Sequence, residues 1–132
     1  MEAPASSYTT DYASKRDTYQ AALMSLFSGK PENTEEDLSK LFPPTFTQRD
    51  DDVTRDFPAF VAHIRFLREI LPSVTLTVTQ FLRDGTQLAE RHTSSTTRPD
   101  GTVVEAETFQ FAEVAEDGRI AWIVETVRRA ER

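Results

Sequence analysis

Apolar residues recur at three- and four-residue spacing in the first half of this chain and alternate with polar residues in the second. From Asp11 onward, Tyr12, Tyr19, Ala22, Leu23, Leu26 and Phe27 trace one face of an amphipathic helix, which Gly29 and Pro31 stop. Thr34, followed by Glu35, Glu36 and Asp37, predicts an N-cap with acidic side chains against the positive end of a helix dipole. This short second helix runs through Leu38 and Leu41 to the Pro43-Pro44 break. A brief β-like run, Thr45 to Gln48, leads into an acidic loop, Asp50 to Asp52, whose like charges repel one another into water. Asp56 caps a third helix with Pro58 in its first turn, and Phe60, Ile64, Leu67 and Leu71 form its buried stripe until Pro72 ends it.

Strict alternation of β-branched and apolar residues over 74–79 is the clearest strand signal in the chain, and Asp84-Gly85 turns it back. Residues 86–97 form the returning strand, Pro99-Asp100-Gly101 the next turn and residues 102–114 a long third strand. Asp117-Gly118 then turns the chain into a last strand over 119–128. Helices gathered ahead of a four-stranded antiparallel meander predict an α+β fold in which a curved sheet wraps a long helix. Residues 1–13 are read as an N-terminal tail and 14–132 as a single domain.

Composition narrows the partners. The chain has 132 residues, no cysteine, and 15 basic against 22 acidic side chains for a net charge of -7. Without cysteine it has no disulfide, thiolate zinc site or cysteine nucleophile. The negative balance opposes a phosphate backbone, so no nucleic-acid partner is expected. No stretch approaches the ~20 apolar residues of a membrane span, and the first twenty residues lack the apolar core of a signal peptide. A soluble, cytoplasmic protein is expected, with no membrane partner. The two histidines show no clustered ligand spacing and the four glycines are all accounted for by a helix stop or turns. Neither a metal nor a nucleotide cofactor is expected.

The strand parity then nominates chemistry. On the third strand Glu105, Glu107, Phe109 and Phe111 share a side, and the two phenylalanines are taken to mark it as the interior. A carboxyl group there is desolvated and can hold a proton near neutral pH, which makes Glu107 the first candidate; its pairing with an arginine is the alternative. Glu125, between Ile123 and Val127 on one face of the last strand, is the second. His63, beside the apolar stripe of the third helix, can aim between helix and sheet. Arg91 and His92 cannot both face inward without a bulge, and either could do so. Both faces of the last strand are apolar, so the outer face of the sheet is expected to meet a second subunit in a homodimer, with Trp122 in that interface or in the core.

The element order, with Leu71-Pro72-Ser73, Arg83-Asp84-Gly85 and Leu88-Ala89-Glu90-Arg91-His92, resembles the central hairpin of the SnoaL-like polyketide cyclases. Phe109-Gln110-Phe111, then Glu116-Asp117-Gly118-Arg119-Ile120 with Glu125 five positions on, resembles the last two strands of that family, within the nuclear-transport-factor-2-like superfamily. The resemblance covers roughly residues 14–129 and implies a cone-shaped α+β barrel: three N-terminal helices on a curved antiparallel sheet of four strands, or a larger, mixed one. It implies a catalytic acid at Glu125 and, as in ketosteroid isomerase, an oxyanion-hole donor at Glu107, with that enzyme's base falling near Arg49 or Asp50. The resemblance also matches Arg91 to an arginine of limonene epoxide hydrolase and implies that Arg91 and Thr93 face inward. Thr93 stands where that hydrolase has its second acid, so the water-activating trio is incomplete. The function expected is a cofactor-independent isomerase, cyclase or dehydratase acting on a hydrophobic oxygenated metabolite such as a polyketide or terpenoid. Glu107, Glu125 and His63 would move protons, Arg91 would stabilise charge, and His92 would be a further catalytic candidate. Tyr19, Phe60, Thr93, Phe109 and Ile123 are expected against the substrate. The alternative is a non-catalytic ligand-binding or dimeric module of the same fold.

Overall fold

The computed structural model describes residues 9–131. Three helices, α1 (Arg16–Ser25), α2 (Thr34–Ser39) and α3 (Phe57–Ile70), accompany six strands: β1 (Thr47–Asp50), β2 (Val53–Asp56), β3 (Ser73–Asp84), β4 (Gln87–Thr97), β5 (Val103–Val114) and β6 (Ile120–Glu131). They form one mixed sheet in the order β2-β1-β6-β5-β4-β3. The expected meander is β3 to β6, antiparallel throughout. The β1–β2 hairpin extends it, with β1 running parallel to β6. The sheet does not close, since β2 and β3 are its two edges.

Several local expectations change. The acidic segment is a tight turn between β1 and β2, in which Asp51 takes a positive φ of 53° that an Asp tolerates and its N–H donates to the Glu125 carbonyl at 3.0 Å. The first helix is interrupted: Tyr12–Ser14 make a single 3₁₀ turn and Lys15 is extended. Thr18 Oγ1 donates to the Tyr12 carbonyl at 2.8 Å, a side-chain bond that competes with a continuous helix. Residues 1–8 of the expected tail lie outside the described residues, whereas Ala13 is buried and Tyr12 Oη donates to the Leu41 carbonyl at 2.6 Å. Thr34 is not an N-cap; Asn33 holds that position and the buried Thr34 hydroxyl donates to the Pro31 carbonyl. Asp56 does cap α3, its Oδ1 accepting from the Ala59 N–H at 3.0 Å, with Pro58 in the first turn.

The core lies between the helices and the sheet face they cover, here the inner face. Phe42, Phe46 and Phe60 pack ring to ring with centroids 4.4–5.4 Å apart. Arg68 on α3 is buried, its side chain 1 % exposed, and donates to the Ser25, Leu26 and Lys30 carbonyls and to Asp37 Oδ2 at 3.0 Å. One guanidinium thereby ties the end of α1 and the start of α2 to α3. Gly29 leaves room for it, because a Cβ there would come 2.6 Å from Arg68 Nη1. A bulge at Thr79 shifts the β3–β4 register, and the adjacent Val78 N–H is satisfied by Gln20 Oε1 of α1 at 2.8 Å.

Candidate active site

Strand parity decides which side chains meet. On β5 the inner face carries Val104, Ala106, Thr108, Gln110, Ala112 and Val114. Glu105, Glu107, Phe109 and Phe111 point the other way, with Phe109 41 % and Phe111 64 % exposed. The expectation that the phenylalanines mark the interior is therefore reversed. The inner face is small and polar because it borders a cavity, and the aromatic side chains stand on the outer one. Arg91 and Thr93 go outward with them, since each pairs across β4 and β5 with Phe109 and Glu107. Arg91 Nη1 donates to Glu107 Oε2 at 3.0 Å and Arg128 Nη1 to Glu107 Oε1 at 3.2 Å, so Glu107 is an arginine-paired carboxylate on the outer face.

The inward residues of β4 are instead Leu88, Glu90, His92, Ser94 and Thr96. Register sets Glu90 opposite Gln110, Gln110 opposite Glu125, and Glu125 opposite Asp50, so four polar side chains form one row across β4, β5, β6 and β1. At about 4.8 Å between strands this row spans about 14 Å. Tyr19 Oη of α1 donates to Gln110 Oε1, and Gln110 Nε2 donates to Glu125 Oε1 at 2.9 Å. The amide is thus fixed by a donor on one side and an acceptor on the other. His92 stands one same-face step from Glu90, its Nδ1 2.8 Å from Glu90 Oε2. An ionised Glu90 selects the tautomer with the proton on Nδ1 and leaves Nε2 as the nitrogen a bound molecule can reach.

His92, Glu125, Asp50 and, from α3, His63 line a single cavity of about 480 Å³. Its wall on the α3 side is apolar, with Leu67, Ile70 and Leu71, and its wall on the sheet is mixed, with Val74, Leu76 and Val127 beside Ser94, Thr96 and Thr108. Burial pushes the Glu125 carboxyl above its ordinary value, against the opposing Gln110 N–H, and the neighbouring Asp50 charge adds to the rise. Burial likewise raises Glu90 against the His92 hydrogen bond, and raises Asp50 against the Arg129 cation. His63 is lowered, first by burial and then by the Arg55 cation, which favours a neutral imidazole at pH 7. Tyr19 is held well above the usual phenol range by burial and stays a neutral donor. A neutral imidazole on one wall and carboxyl groups shifted upward by burial on the other are the kinds of group that general acid–base chemistry uses.

The remaining expected ligand-facing residues lie elsewhere. Phe60 belongs to the aromatic core, and Tyr19 and Ile123 are buried beneath the polar row, outside the cavity lining. Phe109 and Thr93 face outward. Glu90 and Gln110 were missed; both share parity with the apolar ends of their strands, Leu88 on β4 and Val104, Ala112 and Val114 on β5, which is the signal that marks the inner face. Among the described residues no group of three or more His, Cys, Asp or Glu side chains is arranged to hold a metal ion, and no helix is long and apolar enough to cross a membrane.

No family model and no curated protein sequence matches the chain. Solved structures do. A candidate isomerase of the SnoaL-like family from Agrobacterium tumefaciens superposes with a TM-score of 0.65 at 16 % identity, covering 86 % of this chain and 97 % of that one. A nuclear-transport-factor-2-like protein of unknown function from an Exiguobacterium species gives 0.69 at 16 % identity, over 85 % and 96 %. A candidate SnoaL-like polyketide cyclase from a Jannaschia species gives 0.61 at 12 % identity, over 81 % and 83 %. The chain therefore has the cone-type α+β fold shared by SnoaL-like and nuclear-transport-factor-2-like proteins, with its cavity between α3 and the inner face of the sheet.

Proposed function

We propose that the protein is a cofactor-independent acid–base enzyme, an isomerase, cyclase or dehydratase acting on a hydrophobic oxygenated small molecule of polyketide or terpenoid type. The observation that carries this is the convergence of His92, held by Glu90, with Glu125 and His63 on one cavity whose α3 wall is apolar. His92 Nε2 takes a proton from carbon next to a carbonyl. Glu125, whose carboxyl burial pushes toward its protonated form, donates a hydrogen bond to the enolate oxygen or returns the proton to another carbon. His63 on the opposite wall is neutral and available as the second base. Gln110 and Tyr19 do not relay protons, because an amide passes one only by becoming an unstable imidic acid; they hold Glu125 in place. The neighbouring folds named as a candidate isomerase and a candidate polyketide cyclase support the same class.

The test is exchange of α-protons with deuterated water, followed by mass spectrometry, over a panel of polyketide-, terpenoid- and steroid-like ketones that raise Tm. Exchange or turnover by the natural protein, lost in His92→Gln and Glu125→Gln while the thermal shift persists, supports the enzyme. Tight binding with no exchange by the natural protein between acid and alkaline pH overturns it in favour of a ligand-binding module.

We also infer that a second copy of the chain covers the outer face, because Leu82, 71 % exposed, and Phe111 stand there beside Phe109 and Trp122. Light scattering on Phe111→Glu tests this: a dimer that becomes a monomer supports it, and a natural protein that is already monomeric overturns it.

A further inference from the structure

Arginines lie at one end of the cavity and carboxyl groups at the other. Along β6 the inward positions run Ile123, Glu125, Val127 and Arg129, so Glu125 in the inner row and Arg129 at the rim are two same-face steps apart. At about 3.3 Å per residue their backbones are about 13 Å apart. Arg128 points outward to Glu107, whereas Arg129 lines the cavity, where it acts on Asp50 as a neighbouring cation without a direct ion pair among the described side chains. Arg98, in the β4–β5 hairpin, lines the same rim. Between the rim and the row of Glu125 the sheet presents Val127 with Thr108 and His92, then Ala106 and Ser94 level with Arg129, and Leu67, Ile70 and Leu71 supply an apolar wall from the α3 side. A neutral terpenoid would use the apolar wall and leave the guanidinium in water. An amphipathic acid uses both, since a carboxylate accepts two parallel N–H bonds from the planar guanidinium fork.

We propose that the cavity selects an amphipathic carboxylic acid whose anionic group is held at the rim by Arg129, with Arg98 beside it, and whose oxygenated carbon reaches the Glu125 row about 13 Å deeper. This rests on the reading of the cavity as the active site and adds the substrate's charge and length to it. Among the described side chains Asp50 is an acid that senses the Arg129 cation, and no direct ion pair joins the two, which leaves the guanidinium fork open to a bound carboxylate. Anchoring at the rim also fixes the depth of the reacting carbon, which makes chain length a determinant of rate.

The experiment is calorimetric titration of a homologous series of ω-phenylalkanoates and of the matching primary amides, at low ionic strength. The best acid is expected to bind about tenfold more tightly than its amide, and this ratio to fall with added salt. Arg129→Gln is expected to bring acid and amide within about twofold, and Arg129→Lys to keep part of the preference. Ser94→Phe, which fills the cavity from β4, is expected to weaken both series. Equal affinity of acid and amide, failure of both series to bind, or an acid preference that survives in Arg129→Gln overturns the proposal. The two readings fail separately. Amides bound and processed as well as acids remove the rim anchor and leave the acid–base site. An intact, Arg129-dependent acid preference without turnover removes the chemistry and leaves the anchor.

Discussion

His92 Nδ1 lies 2.8 Å from Glu90 Oε2, two residues back along β4 and on the same face, with Glu90 5 % exposed. A carboxylate in that position fixes both the ring and its tautomer. His92→Gln is therefore expected to lower kcat by about 10²–10⁴-fold. Glu90→Gln is expected to lower it less and to alter the pH profile, and Glu90→Asp to restore part of the rate. A Glu90→Gln enzyme with a natural pH profile would show that Glu90 serves packing alone.

Buried carboxyl groups carry a stability penalty at neutral pH. The ordinary Glu value is 4.5, and burial raises Glu125 and Glu90 above it in the folded protein. Between 4.5 and the raised values the native state binds protons that the unfolded chain has released, so these groups make stability fall as pH rises across that window. Glu125→Gln, which retains an oxygen to accept from Gln110, is expected to raise Tm at pH 7–8 by a few degrees and to flatten its decline with pH. Thermal unfolding from pH 4 to 8 measures this, and an unchanged slope would contradict it.

His63 titrates below its ordinary 6.5 because of burial and the Arg55 cation. Below 6.5 the unfolded chain takes up a proton that the folded ring resists, so this group makes stability rise with pH up to 6.5. Arg55→Met removes the cation and is expected to move the His63 titration, followed by NMR of its ring protons, toward 6.5. The acid limb of kcat/KM is expected to move with it; if only the NMR titration moves, His63 is outside the chemistry.

Glu107 lies on the face away from the cavity, bonded to Arg91 and Arg128. Glu107→Gln is accordingly expected to leave kcat/KM within about twofold and stability within about 1 kcal/mol, the ordinary range for partly exposed ion pairs. A loss of turnover comparable to that of Glu125→Gln would mean that β5 presents its other face to the substrate.

Arg68 joins three segments through five hydrogen-bonded partners. Arg68→Met removes those donors while leaving Asp37 partly in water, and is expected to cost about 2–3 kcal/mol in urea unfolding, in line with hydrogen bonds to a charged group. Gly29→Ala, whose Cβ would meet the same guanidinium, should destabilise in the same direction. Loss of less than about 0.5 kcal/mol in both would identify the linkage as dispensable.

The elements were legible because their signals are local. Alternation over 74–79, the Asp-Gly turns and the Asp56-Pro58 start of α3 each act within a few residues, and the meander and the third helix follow from them. The order of helices and strands was enough to imply the cone-type fold that the solved structures share. What one chain read alone did not decide was which face of each strand the helices cover. Two-residue periodicity defines two faces but does not name the inner one, and Phe109 and Phe111 pointed to the wrong one because a sheet bordering a cavity is polar inside and can be aromatic outside. That choice turned Glu107, Arg91 and Thr93 outward and brought Glu90, His92 and Gln110 in. Nor does local pattern reveal that β1 runs parallel to β6 and brings Asp50 beside Glu125, because that contact joins residues 75 positions apart, 125 − 50, and forms only when the sheet assembles. Sequence thus determined the meander, the third helix and their order, whereas tertiary packing formed the β1–β2 hairpin and, by covering one face of the sheet, decided which of the titratable groups share a site.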